Sequence, residues 1–210
     1  LYELYINYED VEDFAKVVVN SRKNAKNNPN AQLKGDVTVA DVLAEDTIVS
    51  PLRKSDCCPI TDGASALVLV TREVAEKLIA EGKIKGAAYI KGIDHRMDPH
   101  GLGVRDLTVS ESARIAAEKA GVAKGKVDIA ELYTPFSHQE LIIREALGLG
   151  EDTVVNPSGG TLAGHIFMTH GLDRFGEVAT RIIAGEATRG VAHVSSGPCL
   201  QQNLVAVLEA

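Results

Sequence analysis

Residues 156–171, Asn-Pro-Ser-Gly-Gly-Thr-Leu-Ala-Gly-His-Ile-Phe-Met-Thr-His-Gly, are the stretch around which the rest of the chain is interpreted. Asn-Pro and Gly-Gly interrupt regular structure, so we expect an irregular loop here, and an apolar helical pattern begins directly after it at Leu172. A helix N-terminus favours anionic groups, and glycines let a ligand approach the backbone closely. We therefore predict that this is an active-site loop and that His165 is its reactive group.

Composition excludes several classes of function. The chain has 210 residues, 45% of them apolar, which allows one or two domains with a sizeable core. Its net charge is −7 and it has no block of lysine and arginine, so binding to nucleic acid or to an anionic membrane is not indicated. It has no membrane-length apolar run and does not open on a signal peptide. Its three cysteines form no disulfide framework, and Cys57-Cys58 lacks zinc-site spacing, so we expect a cytoplasmic protein without a bound metal.

Hydrophobic periodicity predicts alternating helices and strands. The helices are predicted at residues 9–26, 38–44, 72–81, 110–120, 137–147 and 169–184, with a capping box at Thr38 and Asp41. Strands are predicted at 64–70, 87–93, 128–133, 190–195 and 204–208, with 48–52 extended and 94–108 a surface loop. This order indicates an α/β layered domain with a mixed sheet.

Several motifs of the chain occur together in one known family. They are Asn156-Pro-Ser-Gly-Gly followed by Gly164-His165, then Asn27-Asn-Pro, the Asp56-Cys-Cys-Pro segment with Asp62-Gly-Ala, and the stretch from Val127 to Leu132. The first is similar to the glycine–histidine loop of the thiolase superfamily, and the others match that family in the same order, so the chain resembles thiolases and most closely their sterol-carrier-protein-x branch. The resemblance covers nearly the whole chain.

The resemblance implies the thiolase fold, two similar α/β halves with an inserted loop domain that holds coenzyme A. Residues 1–60 are similar to part of that insertion, and residues 61–210 are similar to the C-terminal half. Family members carry a nucleophilic cysteine in the other half, and no segment here resembles it. We interpret Cys57 and Cys58 as packed, unreactive thiols.

Three positions take catalytic roles by resemblance. His165 matches the base that activates the nucleophilic cysteine, which is needed because a free thiol is mostly protonated at neutral pH. Tyr133 stands where the family has an asparagine or histidine in an oxyanion hole. Cys199 is the candidate for the second, acid/base cysteine, although Gly197 and Ser196 fit the same turn. We expect His165, Tyr133 and this turn to meet at one pocket.

A further set of residues is expected to bind the acyl-CoA substrate, and coenzyme A thioester is a substrate here rather than a cofactor. The set comprises Asn156, Ser158, Gly159, Gly160, Gly164, Phe136 and Gly197. The loop departs from the family pattern at Ile166, where proline is usual, and beyond it from Phe167 to His170. His170 can be explained as the first residue of the following helix.

Three functions are compatible with these residues. The first is a thiolase-type acyltransferase that makes or breaks a β-ketoacyl-CoA. The second is a thiolase-fold aldolase that cleaves a β-hydroxyacyl-CoA such as a steroid side chain, which Tyr133 and the altered loop favour. The third is a non-catalytic scaffold subunit of a thiolase complex. The resemblance also implies a homodimer or larger assembly, and in this branch an OB-fold, zinc-ribbon acyl-CoA-binding partner. We expect no thiolase turnover from this chain alone, and an apolar face where the other half would pack.

Overall fold

The structure is a computed structural model that describes residues 11–210, and it confirms an α/β fold. The helices are α1 Val11–Asn24, α2 Val39–Leu43, α3 Arg72–Ala80, α4 Glu111–Ala120, α5 Ser137–Ala146, α6 Gly160–Ala163 and α7 His170–Ile183. The strands are β1 Thr47–Val49, β2 Leu52–Arg53, β3 Tyr89–Met97, β4 Ile129–Leu132, β5 Val154–Val155, β6 Arg189–Ser196 and β7 Gln202–Glu209.

Five of these strands form one mixed sheet in the order β3-β7-β6-β4-β5. β3 and β6 run antiparallel to β7, whereas β4 runs parallel to both β6 and β5. Strand β4 is buried at every position, because β5 and β6 flank it on both sides and helices lie above and below it. The loop that follows β4 therefore leaves the sheet from a fixed position.

Helices cover both faces of this sheet, which gives three layers. On one face α4 and α5 pack against β4, β6 and β7. The apolar part of α4 there consists of alanines at positions 113, 116, 117 and 120, beside Ser112, whose hydroxyl accepts from Asn203 in β7. On the other face Val178 and Ile182 of α7 pack against Ile129 and Ala206. Close approach of α4 needs Gly92 in β3, because a Cβ there would lie 2.1 Å from the carbonyl oxygen of Ala120.

Most predicted elements are confirmed to within a few residues. The Thr38–Asp41 capping box is present, with the Asp41 N–H donating to Thr38 Oγ1 over 3.1 Å. The helix predicted at 169–184 is α7, and its first residue is His170. Residues 9 and 10 of the first predicted helix lie outside the described residues.

Three predictions were wrong. Residues 64–70 form no strand, because none of the described strands runs beside them, and Val68 and Leu69 are 91% and 76% exposed. Strand β3 extends to Met97, into the predicted loop, because β7 is long enough to pair with it as far as Gln202. Residues 48–52 are not one extended piece but parts of β1 and β2, which pair antiparallel around a turn.

The loop at 156–171 is also more ordered than predicted. It contains the single helical turn α6 and a 3-10 turn at Phe167–Thr169. Gly159 allows this compact path, because its φ is +94° and a Cβ there would lie 2.6 Å from the Cβ atoms of Ala25 and Ala163. The loop thus packs directly on the helical segment that follows α1.

Candidate active site

A tyrosine–histidine pair lies at the end of strand β4. Tyr133 directly follows the strand, and its backbone N–H donates to the carbonyl of His193 in β6 over 3.1 Å. Its hydroxyl is 2.7 Å from Nε2 of His165, and the two ring centroids are 5.5 Å apart. Two of the three predicted catalytic residues, 32 positions apart in the chain, are therefore hydrogen-bonded to each other.

The other nitrogen of His165 faces a thiol. Sγ of Cys58 lies 3.4 Å from His165 Nδ1, within hydrogen-bond reach for sulfur. Sequence reasoning missed this contact, because nothing in the Cys-Cys-Pro motif shows which loop it will meet 107 positions later. Both ring nitrogens of His165 are thus occupied by side chains of this chain.

Burial keeps all three of these groups uncharged at neutral pH. It lowers the pKa of His165 below its usual range, so the imidazole is neutral. Burial, with the neighbouring Cys58, raises the pKa of Tyr133, and burial raises the pKa of Cys58 to about 11. The site therefore holds an imidazole, a phenol and a thiol, with the imidazole as the strongest base.

His170 packs against both Tyr133 and His165. It is 1% exposed, its Nδ1 accepts from the backbone N–H of Ile166 over 3.3 Å, and its ring lies edge-on to Tyr133 and His165. Burial, with the nearby Arg174 and His165, lowers its pKa to about 2, so it stays neutral. It shields the pair from water on the α7 side.

Tyr133 also lines an open cavity of about 430 Å³ together with the predicted turn at 195–199. The other lining residues include three predicted site positions, Phe136, Gly197 and Cys199. The φ of Cys199 is +55°, and the guanidinium of Arg105 holds this turn by donating to the carbonyls of Pro198 and Cys199 over 3.2 and 3.0 Å. His165 is not one of the lining residues, and it contacts the cavity wall at Tyr133.

A buried ion pair supports the loop that carries His165. Glu131 in β4 accepts from the Ser158 backbone N–H and hydroxyl, each over 2.8 Å, and it pairs with Arg174 of α7. Burial alone would lower the pKa of Arg174, but the carboxylates of Glu131 and Asp173 outweigh it, so the pKa is raised and the guanidinium stays charged. Strand, loop and helix are thereby joined beneath the site.

The remaining predicted substrate-binding residues lie in this loop. Ser158, Gly160 and Gly164 line a second cavity of about 300 Å³, next to Thr61 and Arg174. Gly159 contacts the segment after α1. Asn156 is buried, with its Oδ1 accepting from the Leu132 N–H over 2.7 Å and its Nδ2 donating to Glu140 over 2.7 Å. A role for these residues in binding acyl-CoA stays a prediction.

Two kinds of feature are not found in residues 11–210. Within that range no cluster of three histidine, cysteine or acidic side chains is arranged to hold a metal ion. None of the helices described there has the length and apolar character to cross a membrane.

Sequence comparison gives several curated relatives, although no protein-family model matches the chain. The chain is 33% identical to the benzoylsuccinyl-CoA thiolase subunit BbsB of Thauera aromatica, over 77% of this chain and 47% of the relative. It is 33% identical to an acetyl-CoA acetyltransferase of Methanothermobacter thermautotrophicus, over 84% and 50%. It is 30% identical to human sterol carrier protein 2, over 84% and 36%. The chain thus spans about half the length, or less, of the curated relatives it matches.

Solved structures share the fold. The chain superposes with a TM-score of 0.77 on a monomeric SCP2-thiolase-like protein from Mycobacterium smegmatis, at 18% identity, over 95% of this chain and 46% of that one. An Ltp2-ChsH2(DUF35) aldolase gives a TM-score of 0.75 at 22% identity, over 95% and 58%. With the relatives and the motifs, these likenesses lead to one conclusion: the chain belongs to the thiolase superfamily, in its sterol-carrier-protein-2-like branch.

Proposed function

We propose that this chain supplies a tyrosine–histidine acid/base pair to an acyl-CoA aldolase, which cleaves a β-hydroxyacyl-CoA. The observation that carries the proposal is the occupation of both nitrogens of His165, by Tyr133 at 2.7 Å and by Cys58 at 3.4 Å. A histidine held in this way has no free nitrogen with which to activate a nucleophilic cysteine from another segment. Because His165 does not line the cavity and Tyr133 does, its basicity would act on a bound substrate through Tyr133.

The proposed reaction is a retro-aldol cleavage. The phenol oxygen of Tyr133 takes the proton of the β-hydroxyl while its own proton passes to Nε2 of His165. The O–H electron pair forms a carbonyl at Cβ, the Cα–Cβ bond breaks, and its electrons form the thioester enolate. The pair, which now carries one extra proton, returns it to Cα. The products are a carbonyl compound and a shorter acyl-CoA, and no electrons are gained or lost.

The charge state of the site suits this relay. A phenol is too weak a base to hold the substrate proton, so Tyr133 needs an acceptor behind it. His165 is neutral at pH 7 because burial lowers its pKa, and its Nε2 is within hydrogen-bond distance of the phenol. One structural neighbour is named as an Ltp2-ChsH2(DUF35) aldolase, and by analogy we propose that this chain also works with a partner protein.

Thiolase-type acyl transfer is the second candidate, and the names of the curated relatives favour it. In that reaction the Tyr133 hydroxyl would donate to the oxygen of the thioester enolate. Cys199, across the same cavity, would be the acid/base group. The acylated cysteine would have to come from outside this chain, in a homodimer or larger assembly. The third candidate, a non-catalytic scaffold subunit, would not need the contacts of His165 with Tyr133 and Cys58.

The test measures both reactions, retro-aldol cleavage and thiolysis. Each is assayed with this chain alone and with this chain combined with the other half of a thiolase-like protein. We expect a 3-hydroxyacyl-CoA to be cleaved to a shorter acyl-CoA. Liquid chromatography measures the formation of this product. Tyr133→Phe should lower this rate by about a hundredfold or more, the range for a positioned acid/base group. Tyr89→Phe, in the edge strand β3 and outside the cavity lining, is the matched control. Thiolysis of acetoacetyl-CoA without any retro-aldol cleavage would decide for the second candidate.

A further inference from the structure

We propose that Cys58 is a positioning residue for His165, and that its thiol keeps Nε2 of the imidazole on the Tyr133 hydroxyl. The inference rests on the proposed function only for its effect on turnover, since the contact itself concerns the resting protein. Sγ lies 3.4 Å from Nδ1, on the opposite side of the ring from the 2.7 Å contact between Nε2 and the phenol. Cys58, His165 and Tyr133 therefore form a continuous chain of polar groups.

The backbone fixes the thiol relative to both of the other residues. The N–H of Cys58 donates to the carbonyl of Pro135, two residues after Tyr133, over 2.9 Å. Three residues further on, Thr61 is joined to His165 twice. Its N–H donates to the His165 carbonyl over 2.9 Å, and the His165 N–H donates to its Oγ1 over 3.0 Å. The segment 58–61 thus connects the two loops that carry the catalytic pair.

A partner at Nδ1 is needed because packing alone does not orient an imidazole. The rings of Phe167 and His170 both lie edge-on to His165, with centroids 5.5 Å away. They limit the ring plane, but a half-turn about the Cβ–Cγ bond would leave the ring in much the same volume. That turn exchanges Nε2 with a carbon and would leave the Tyr133 hydroxyl without its acceptor. In the described part of the chain, Cys58 supplies the side-chain contact at Nδ1 that distinguishes the two orientations.

A thiol suits a histidine that must change its protonation state. Nε2 must be bare to accept the phenol proton, so Nδ1 carries the proton of the neutral imidazole, and the sulfur accepts from Nδ1–H both before and after proton transfer. A carboxylate at the same place would raise the pKa of the imidazole and favour an imidazolium at neutral pH, which has no bare Nε2 to accept the phenol proton. Burial raises the pKa of Cys58 to about 11, which keeps the sulfur protonated at neutral pH.

The experiment uses Cys58→Ser and Cys58→Ala, which remove the same sulfur but differ in one hydroxyl. Cys57→Ala is the control, because the neighbouring thiol is half-buried and contacts the Arg53 carbonyl instead. The proton positions on the His165 ring are followed by ¹⁵N NMR in histidine-labelled protein, and retro-aldol turnover is measured on the same samples. Circular dichroism checks the fold.

We expect a single, sharp ring pattern in the wild type, Cys58→Ser and Cys57→Ala, and an averaged or broadened one in Cys58→Ala. Turnover should fall about tenfold in Cys58→Ala with KM unchanged, by analogy with the lower end of the range for groups that orient metal-bound histidines. Equal ring patterns in the serine and alanine variants would overturn the proposal. If neither folds, the pair Cys58→Thr and Cys58→Val, which fills more volume, is compared in the same way. A changed ring pattern in a protein without aldolase activity would refute the proposed function and leave the positioning role intact.

Discussion

Replacing Glu131 with glutamine should be among the most destabilising single changes in this protein. The side chain is fully buried, and its two oxygens accept from the Ser158 N–H, the Ser158 hydroxyl and the Arg174 guanidinium. A glutamine keeps one acceptor but removes the charge, and Arg174, which is 2% exposed, then retains Asp173 as its ion-pair partner and the Ser158 hydroxyl as a neutral acceptor. Removing one member of a buried pair costs about 3–5 kcal/mol in free energy of unfolding.

Urea titration of the wild type and Glu131→Gln measures this loss directly. In a domain of this size a loss of that order should lower the Tm by on the order of 10 °C. Glu145→Gln, which removes an exposed carboxylate from α5, is the control and should change stability by less than about 0.5 kcal/mol. Aldolase turnover should fall together with stability, since Ser158 belongs to the loop that leads to His165.

A double variant tests whether the uncompensated charge is the cause. Glu131→Gln with Arg174→Met removes the remaining charge and fills much of the arginine's volume, so it should recover at least half of the lost stability. A single variant that loses less than about 1 kcal/mol would show that the pair contributes little. A double variant no more stable than the single one would show that the loss comes from the Ser158 hydrogen bonds instead.

Three further predictions concern pH, the turn and turnover. The pKa of Glu140 is raised to about 7 by burial, so its stabilising effect is present at acidic pH and is lost as pH rises through 7. Glu140→Gln should therefore cost about 2 kcal/mol more at pH 5 than at pH 7 in urea titrations. The acid destabilisation from His193, whose pKa burial lowers to about 4, is common to both proteins and cancels from this difference. Arg105→Met should free the turn at Cys199, so thiol titration should show faster labelling of that cysteine. In the control Cys57→Ala, Cys199 should be labelled at the wild-type rate. The 210-residue chain alone should give no thiolysis of acetoacetyl-CoA, and measurable turnover would place the nucleophile within it.

The order of elements could be predicted from the sequence because most of them are specified locally. The capping box at Thr38 and the apolar stripe of α7 depend on residues that are near neighbours in the chain, and both were predicted to within a residue or two. Residues 64–70 have the composition of a buried strand, but a strand also needs a neighbour, and composition does not show whether one is present. The same limit explains why the end of β3 was placed too early.

The candidate site could be predicted only where a motif marks it. His165 was found from its glycine-rich loop, and Tyr133 from its match to an oxyanion-hole position of the family that it resembles. Cys58 and His170 carry no such signal, because their importance depends on which loops the fold brings together. The ion pair between Glu131 and Arg174 was missed for the same reason, since nothing in a single sequence shows that residues 43 positions apart are hydrogen-bonded to each other.

The exposed segment 64–70 has a consequence for the order of events after synthesis. Its sequence, Ala-Ser-Ala-Leu-Val-Leu-Val, is apolar, uncharged and free of proline, and in the described part of the chain no strand pairs with it. Segments of this kind stack readily on their own copies. Self-association of this segment therefore competes with any contact that covers it, and the outcome of that competition depends on concentration. We expect a partner surface or a chaperone that covers residues 64–70 to slow aggregation of newly made chains.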